Sequence, residues 1–183
     1  MTLRALSIPD VMLVVPRVLQ DARGAFFEAW NERTAGAAGL RTTFVQDNAV
    51  TSLRGVLRGL HFQLPQPQGK LVRAITGEIF DVAVDIRGDS PTFGKWVGER
   101  LSGENNHALW IPPGFAHGYL TLSDSAHVYY KCTEFYAPEH EHTLAWDDPT
   151  VAIDWPLAET GAPVVAERDR RGTSLAAMLE SLR

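Results

Sequence analysis

Apolar and polar residues alternate with a period of two in short segments from Met12 to Phe135, and turn-forming residues separate the segments. Successive strand side chains point to opposite faces, so the pattern predicts antiparallel strands closed into a sandwich or barrel, an all-β architecture. From Glu78 to Ile86, Phe80, Val82, Val84 and Ile86 share one face while Asp81 and Asp85 share the other, which is expected to be wet or functional. Turn signals at Asp21–Gly24, Arg87–Pro91, Ser102–Asn106 and Pro112–Gly114 predict short hairpin-like connections. A few short helices flank the strands. One is expected from Glu32 to Gly39, and a C-terminal one places Leu175, Met178, Leu179 and Leu182 at i, i+3, i+4, i+7 behind a capping Thr173 or Ser174. No repeat, linker or composition break interrupts the chain, which predicts a single domain over 1–183.

With 45% apolar and 21% charged residues, the chain has the make-up of a globular protein that buries a core. Its 17 basic and 22 acidic residues leave a net charge of −5, which argues against a general nucleic-acid or membrane-surface binder. An anionic ligand must therefore meet a local basic cluster. Cys132 is the single cysteine, so neither an internal disulfide nor a cysteine-based zinc site can form within one chain, and a reducing compartment is expected. The first ten residues lack an apolar signal core, and no run approaches the roughly 18 apolar residues of a membrane span. Both features predict a cytoplasmic protein.

The segment Arg54–Gln63 packs arginines, glycines and a histidine into strand-like sequence. Glycine within a strand marks a bulge or a close backbone approach. In a regular strand Arg58 and His61, three apart, face opposite ways; a one-residue bulge at Gly59 turns both inward. A surface arginine with a structural histidine fits the segment equally well. Tyr130 shares the apolar face of its strand with Ala126, Val128 and Cys132 and is expected inside the barrel, where a phenol near a cation can exchange a proton or simply hydrogen-bond. Basic residues stand beside aromatics: Arg23 near Phe26 and Phe27, Arg58 near Phe62, then Lys70 and Arg73. Guanidinium forks suit diphosphate oxygens. Gln46 and Asn48 share a face with Phe44 and offer amides to a base or sugar. His140-Glu141-His142 has the spacing of a chelating pair but follows Pro138 in an apparent turn, where an exposed polar loop is the simpler reading. Neither a Gly-rich phosphate loop nor a G-x-S-x-G elbow occurs, which removes Rossmann, kinase and serine-hydrolase readings.

Phe44-Val-Gln-Asp-Asn48, Leu57-Arg-Gly-Leu-His-Phe-Gln63, Gly69-Lys-Leu-Val-Arg73, Phe80–Arg87, Ser90-Pro-Thr-Phe-Gly94 and Trp110–Gly118 occur in this order. Together they closely resemble the dTDP-4-dehydrorhamnose 3,5-epimerase family, over a stretch from about Ile8 to Trp155. The resemblance implies a cupin-like jelly-roll β-barrel or sandwich, a homodimer, no required metal or cofactor, and a dTDP-4-keto-6-deoxy-sugar substrate on the way to dTDP-L-rhamnose. Carried over by position, it implies His61 as base, Tyr130 as the opposing acid, Asp169 as the carboxylate paired with the histidine, and Lys70 as the cation at the enolate. It further implies Arg23 and Arg58 at the diphosphate, Glu28, Gln46 and Asn48 at the nucleoside, Phe26 or Tyr136 stacked on thymine, and ligand contacts from His117, Glu141 and Arg168. Arg168 stands where the family more often carries lysine, which keeps the charge and changes its geometry.

The chemistry needs such a set. Protons at C3 and C5 lie beside the C4 ketone, so removing one creates an enolate that a cation or donor must stabilise, and inversion requires a proton returned from the other face. Four alternatives stand beside this reading: a relative that inverts one centre, a sugar-nucleotide ketoisomerase on the same scaffold, a non-catalytic sugar-nucleotide-binding module and a metal-dependent cupin oxygenase. The base and acid positions oppose the binding module, and the scarcity of clustered metal ligands opposes the oxygenase.

Overall fold

The computed structural model describes residues 1–181. Its strands, in chain order, are β1 (Thr2–Ala5), β2 (Met12–Val15), β3 (Val18–Asp21), β4 (Gly24–Phe27), β5 (Gln46–Leu53), β6 (Val56–Gln63) and β7 (Lys70–Thr76), then β8 (Glu78–Asp85), β9 (Trp96–Ser102), β10 (Ala108–Ile111), β11 (Phe115–Thr121), β12 (Ser125–Cys132), β13 (Glu141–Thr143) and β14 (Val164–Val165). The helices are short: α1 (Glu32–Ala37), α2 (Leu157–Thr160), α3 (Glu167–Arg170) and α4 (Leu175–Ser181). One sheet runs β1-β2-β10-β7-β12-β5; the other runs β13-β6-β11-β8-β9, with β14 parallel to β6. Strands β3 and β4 form a two-stranded sheet of their own. This is the expected all-β, cupin-like jelly-roll sandwich, in which the chain passes repeatedly from one sheet to the other.

Between the sheets, Val72, Ala74, Leu109, Ile111 and Val128 meet Ile79, Ala83, Val97, Leu101 and Phe115 in one core. A second core covers the back of the β6-β11-β8 sheet, where Leu57, Leu60, Val82, Val84 and Leu120 pack under Leu144, Val151, Trp155, Val165, Leu175 and Met178. Both faces of β8 are consequently buried. Asp81 and Asp85 are each 0% exposed, so their face is not a wet one. Asp85 ties the turn that follows it: Arg87 Nε, Ser90 Oγ and Thr92 Oγ1 donate to its carboxylate, and these bonds outweigh burial and hold its pKa at about 2.

Two of the turn signals, Asp21–Gly24 and Arg87–Pro91, close hairpins between paired strands. The other two do not. Ser102–Asn106 and Pro112–Gly114 connect strands of opposite sheets, because turn residues encode a chain reversal but not the partner of the strand that follows. Helix α1 stops at Ala37, two residues short of the expected Gly39, and Asn31 Oδ1 caps it by accepting from the amides of Arg33 and Thr34. Ser174 Oγ accepts from the Ala177 amide at the start of α4, whose Leu175 and Met178 are buried; Leu182 and the side chain of Leu179 lie outside the described residues.

The bulge in β6 is present. His117 pairs with His61 and Tyr119 with Arg58, two steps on β11 against three on β6. Leu57 and Leu60 therefore both face the outer core, and Arg58 and His61 turn to the other side. Gly59 sits at φ +113°, and a Cβ there would lie 2.6 Å from both Gly118 Cα and the His117 carbonyl oxygen. Gly59→Ala is expected to cost about 1–3 kcal/mol of backbone strain before the clash is counted. Urea denaturation should show a lower midpoint, and an unchanged midpoint would mean that β6 can shift away from β11.

Candidate active site

A cavity of about 270 Å³ lies between the sheets. From β5 it takes Gln46 and Asn48, from β6 His61, from β7 Lys70, and from β12 Tyr130 and Cys132. Gln68, Tyr136, Glu141 and Arg168 complete its wall. Strand alternation explains the set: Lys70 precedes the inward Val72 by two, and Tyr130 follows the inward Val128 by two.

His61 Nε2 lies 2.8 Å from Asp169 Oδ1, and the Gly59 amide donates to Asp169 Oδ2 at 3.2 Å. Asp169 is 2% exposed. Burial pushes its carboxyl up, but the bonds from His61 and Gly59 and the charge of Arg168 hold it below the ordinary carboxylate range. The ionised carboxylate can only accept, so His61 donates Nε2–H, and in the neutral ring Nδ1 carries the lone pair. Strand β14 makes this contact possible. By pairing Val164 and Val165 with Val56 and Leu57 on β6, it starts α3 beside the bulge.

Lys70 Nζ makes no hydrogen bond or ion pair among the described residues although the residue is 8% exposed, and burial pushes its ammonium below the ordinary lysine range. Tyr130 is pushed up to about 12, chiefly by burial, with the charges of Cys132, Tyr119 and Glu141 adding and that of Arg58 opposing. Its phenol stays protonated at neutral pH. On the cavity rim Glu141 Oε2 accepts from Tyr136 OH at 3.0 Å and Arg168 Nη1 at 3.1 Å. Gln46 donates to Asn48 Oδ1 at 3.1 Å and accepts from the Tyr136 amide at 2.9 Å, so both amides are held in place.

Two expected contact residues stand behind the wall. His117 is buried with Nε2 2.7 Å from Asp81 Oδ1, and Arg58 donates to Ser52 Oγ, which meets Tyr119 OH. Arg23, Phe26 and Glu28 are not brought to the cavity at all. They stand on or just after the separate β3–β4 hairpin, where Arg23 pairs with Asp21, Glu28 accepts from Asn31, and Phe26 is 70% exposed. A hairpin that hydrogen-bonds to neither large sheet cannot carry these groups into their interior. His140 and His142 bond Gln66 and the Leu64 carbonyl, and among the described residues no His, Cys, Asp and Glu group could hold a metal. Sequence reasoning missed Gln68, in the loop ahead of β7, Cys132, which shares a strand face with Tyr130, and Asp81, whose face was marked without a partner.

The profile of the dTDP-4-dehydrorhamnose 3,5-epimerase family matches residues 5–177. A dTDP-4-dehydrorhamnose 3,5-epimerase from Pseudomonas aeruginosa is 58% identical over 172 residues, covering 93% of this chain and 94% of that one. The chain belongs to this family. Among solved structures, the 3,5-epimerase of Legionella pneumophila in complex with dTDP-4-keto-L-rhamnose superposes with TM-score 0.93 at 44% identity, covering 99% of this chain and 96% of that one. A 3'-monoepimerase from Streptomyces bikiniensis in complex with dTDP-quinovose superposes with TM-score 0.89 at 33% identity over 99% and 90%. The family makes the chain a carbohydrate epimerase, an isomerase. No helix among the described residues is long and apolar enough to cross a membrane.

Asp169→Asn is expected to lower turnover by about 10²–10⁴-fold with a smaller change in KM, because an amide can no longer hold the His61 tautomer. Initial rates over a range of substrate concentrations measure this. Near-normal turnover would remove Asp169 from the mechanism.

Proposed function

We propose that the chain, one jelly-roll domain, inverts C3 and C5 of dTDP-4-dehydro-6-deoxy-D-glucose and yields dTDP-4-dehydro-L-rhamnose for dTDP-L-rhamnose biosynthesis. The observation that carries the reading is the His61–Asp169 pair in the same cavity as an unpartnered Lys70 and a protonated Tyr130. His61 Nδ1 takes the proton from the carbon beside the ketone. The C–H electron pair moves into the ring, and the carbonyl oxygen becomes an enolate oxygen that the Lys70 ammonium stabilises. Tyr130 OH returns a proton to the other face, the C4 carbonyl re-forms, and solvent exchange resets the histidine and phenol. Each inversion moves protons only, so the step itself calls for no cofactor.

Glu141 and Arg168 supply the groups for the diphosphate and sugar, backed from behind the wall by Arg58 and His117, while Gln46 and Asn48 serve the nucleoside and Tyr136 offers a ring for the base. Arg23, Phe26 and Glu28 complete the site as residues of a second copy in a homodimer. Exposure of Leu19 and Phe26 on the hairpin supports this arrangement. A nucleotide-sugar substrate and an unpaired thiol fit the cytoplasm. The similarity to a 3'-monoepimerase keeps a second reading in view, inversion at one centre only.

Incubating the protein with the substrate in heavy water and following C3 and C5 by NMR separates the two readings. Deuterium is expected at both positions; exchange at one position alone would establish the single-centre reading, and exchange at neither would defeat both. The shared site has its own check. Arg23→Ala and His61→Ala proteins, each inactive, should regain about a quarter of wild-type activity when co-refolded in equal amounts, since half the dimers then carry one intact site. Failure of the mixture to regain activity would place Arg23 and His61 of the same chain in one site and overturn the shared arrangement.

A further inference from the structure

Lys70 and Asp81 face each other's side of the sandwich interior from opposite sheets. Lys70 lies on β7 in register with Val72 and Ala74, and Asp81 lies on β8 between Ile79 and Ala83; all four neighbours belong to the core between the sheets. Asp81 is fully buried. Its Oδ1 is 2.7 Å from His117 Nε2, while its Oδ2 has no hydrogen-bond partner among the described residues. Burial pushes His117 down more than Asp81 draws it up, so the imidazole donates as a neutral group and brings no charge to the pair. A carboxylate shut away from water requires a counter-charge, and so does an ammonium.

We propose that Asp81 is a positioning residue for the epimerisation: its buried carboxylate, oriented by His117, is the counter-charge that keeps Lys70 an ammonium facing the ketone oxygen. This rests on the role given to Lys70 above and extends it to a residue that does not line the cavity. The other groups around Lys70 cannot take this part. Cys132 on β12 is a thiol that burial pushes up, so it carries no charge near neutrality. Tyr130 on the same strand stays a neutral phenol. Glu141 on β13 already receives Tyr136 and Arg168. His61 on β6 and its carboxylate are engaged with each other, and His117 on β11 is neutral. The arrangement suits the reaction. An ammonium neutralised too closely would have little charge left for the enolate; one facing a carboxylate across the interior keeps its proton and leaves its donors free for the substrate oxygen.

The sign follows directly. Burial favours neutral Lys70 and the Asp81 charge opposes it, so removing that charge makes Lys70 lose its proton at lower pH. Asp81→Asn preserves shape and can still accept from His117. In this variant the alkaline limb of the kcat profile should move down by about one pH unit or more, with turnover nearest to wild type at the acidic end. A role in packing alone would instead lower kcat by the same factor at every pH, and an unmoved limb overturns the proposal.

A second measurement needs neither substrate nor the Asp81 variant. The chain holds three lysines, Lys70, Lys95 and Lys131, so the Lys70 Cε signal of ¹³C-lysine-labelled protein can be assigned with Lys70→Arg and titrated. Wild-type Lys70 is expected to be cationic at pH 8, and a neutral Lys70 at that pH overturns the proposal whatever sugar the enzyme inverts. Where Asp81→Asn folds, the same signal should titrate about one unit or more lower.

Discussion

The close approach of β6 to β11 at Gly59 is the constraint on which the site rests. Its backbone lies so near Gly118 that no side chain fits between them, and the extra residue in β6 changes which face the following positions take. His61 turns inward for that reason. The same bulge frees the Gly59 amide from the ladder, and Asp169 takes it up with its second oxygen. One local irregularity thus aims His61 and helps anchor the carboxylate that orients it, across 108 residues of chain.

Around that pair the interior divides into an apolar floor and a polar layer. The floor is built from aliphatic and aromatic side chains of both sheets, which exclude water and raise the strength of every charge nearby. In the polar layer the charges are paired or bonded with one exception among the described residues: Asp169 with His61, Glu141 with Arg168, Asp81 with His117, while Lys70 has no direct partner. A buried ammonium left open in a cavity is costly for stability, and under the proposed mechanism that cost is the counterpart of its use, since an enolate oxygen finds there a donor that need not be released from elsewhere. Stability is supplied behind the site, where the C-terminal third of the chain covers the back of the second sheet.

The β3–β4 hairpin has the opposite character. It buries little, exposes Leu19 and Phe26, and pairs Arg23 with its own Asp21. Such a ribbon gains from association with a surface that offers it apolar contact and a second set of charges. In the proposed dimer, a site completed across two copies couples assembly to activity, and the isolated chain keeps His61, Lys70 and Tyr130 in its cavity while lacking part of the nucleotide grip.

Period-two alternation was enough for the all-β class, because one buried face per strand imposes that pattern whatever the topology. Gly59 within strand-like sequence offered the bulge, and with it the inward turn of Arg58 and His61, as one of two readings; the structure selects it, with Gly59 in a backbone conformation and a close contact that a side chain would strain. Motif order identified the family. What alternation could not decide was whether β8 has a wet face: Asp81 and Asp85 read as polar in any setting, and their burial depends on the sheet opposite and on partners at His117 and Arg87 that lie far off or around a turn. Turn composition likewise could not tell hairpins from crossings between sheets. The pairing of Asp169 with His61, the exclusion of the Arg23 hairpin from the cavity, and the placement of Asp81 on the sheet opposite Lys70 belong to tertiary structure alone, because each depends on segments distant in the chain being packed against one another, and local residue pattern carries no information about which distant segment arrives.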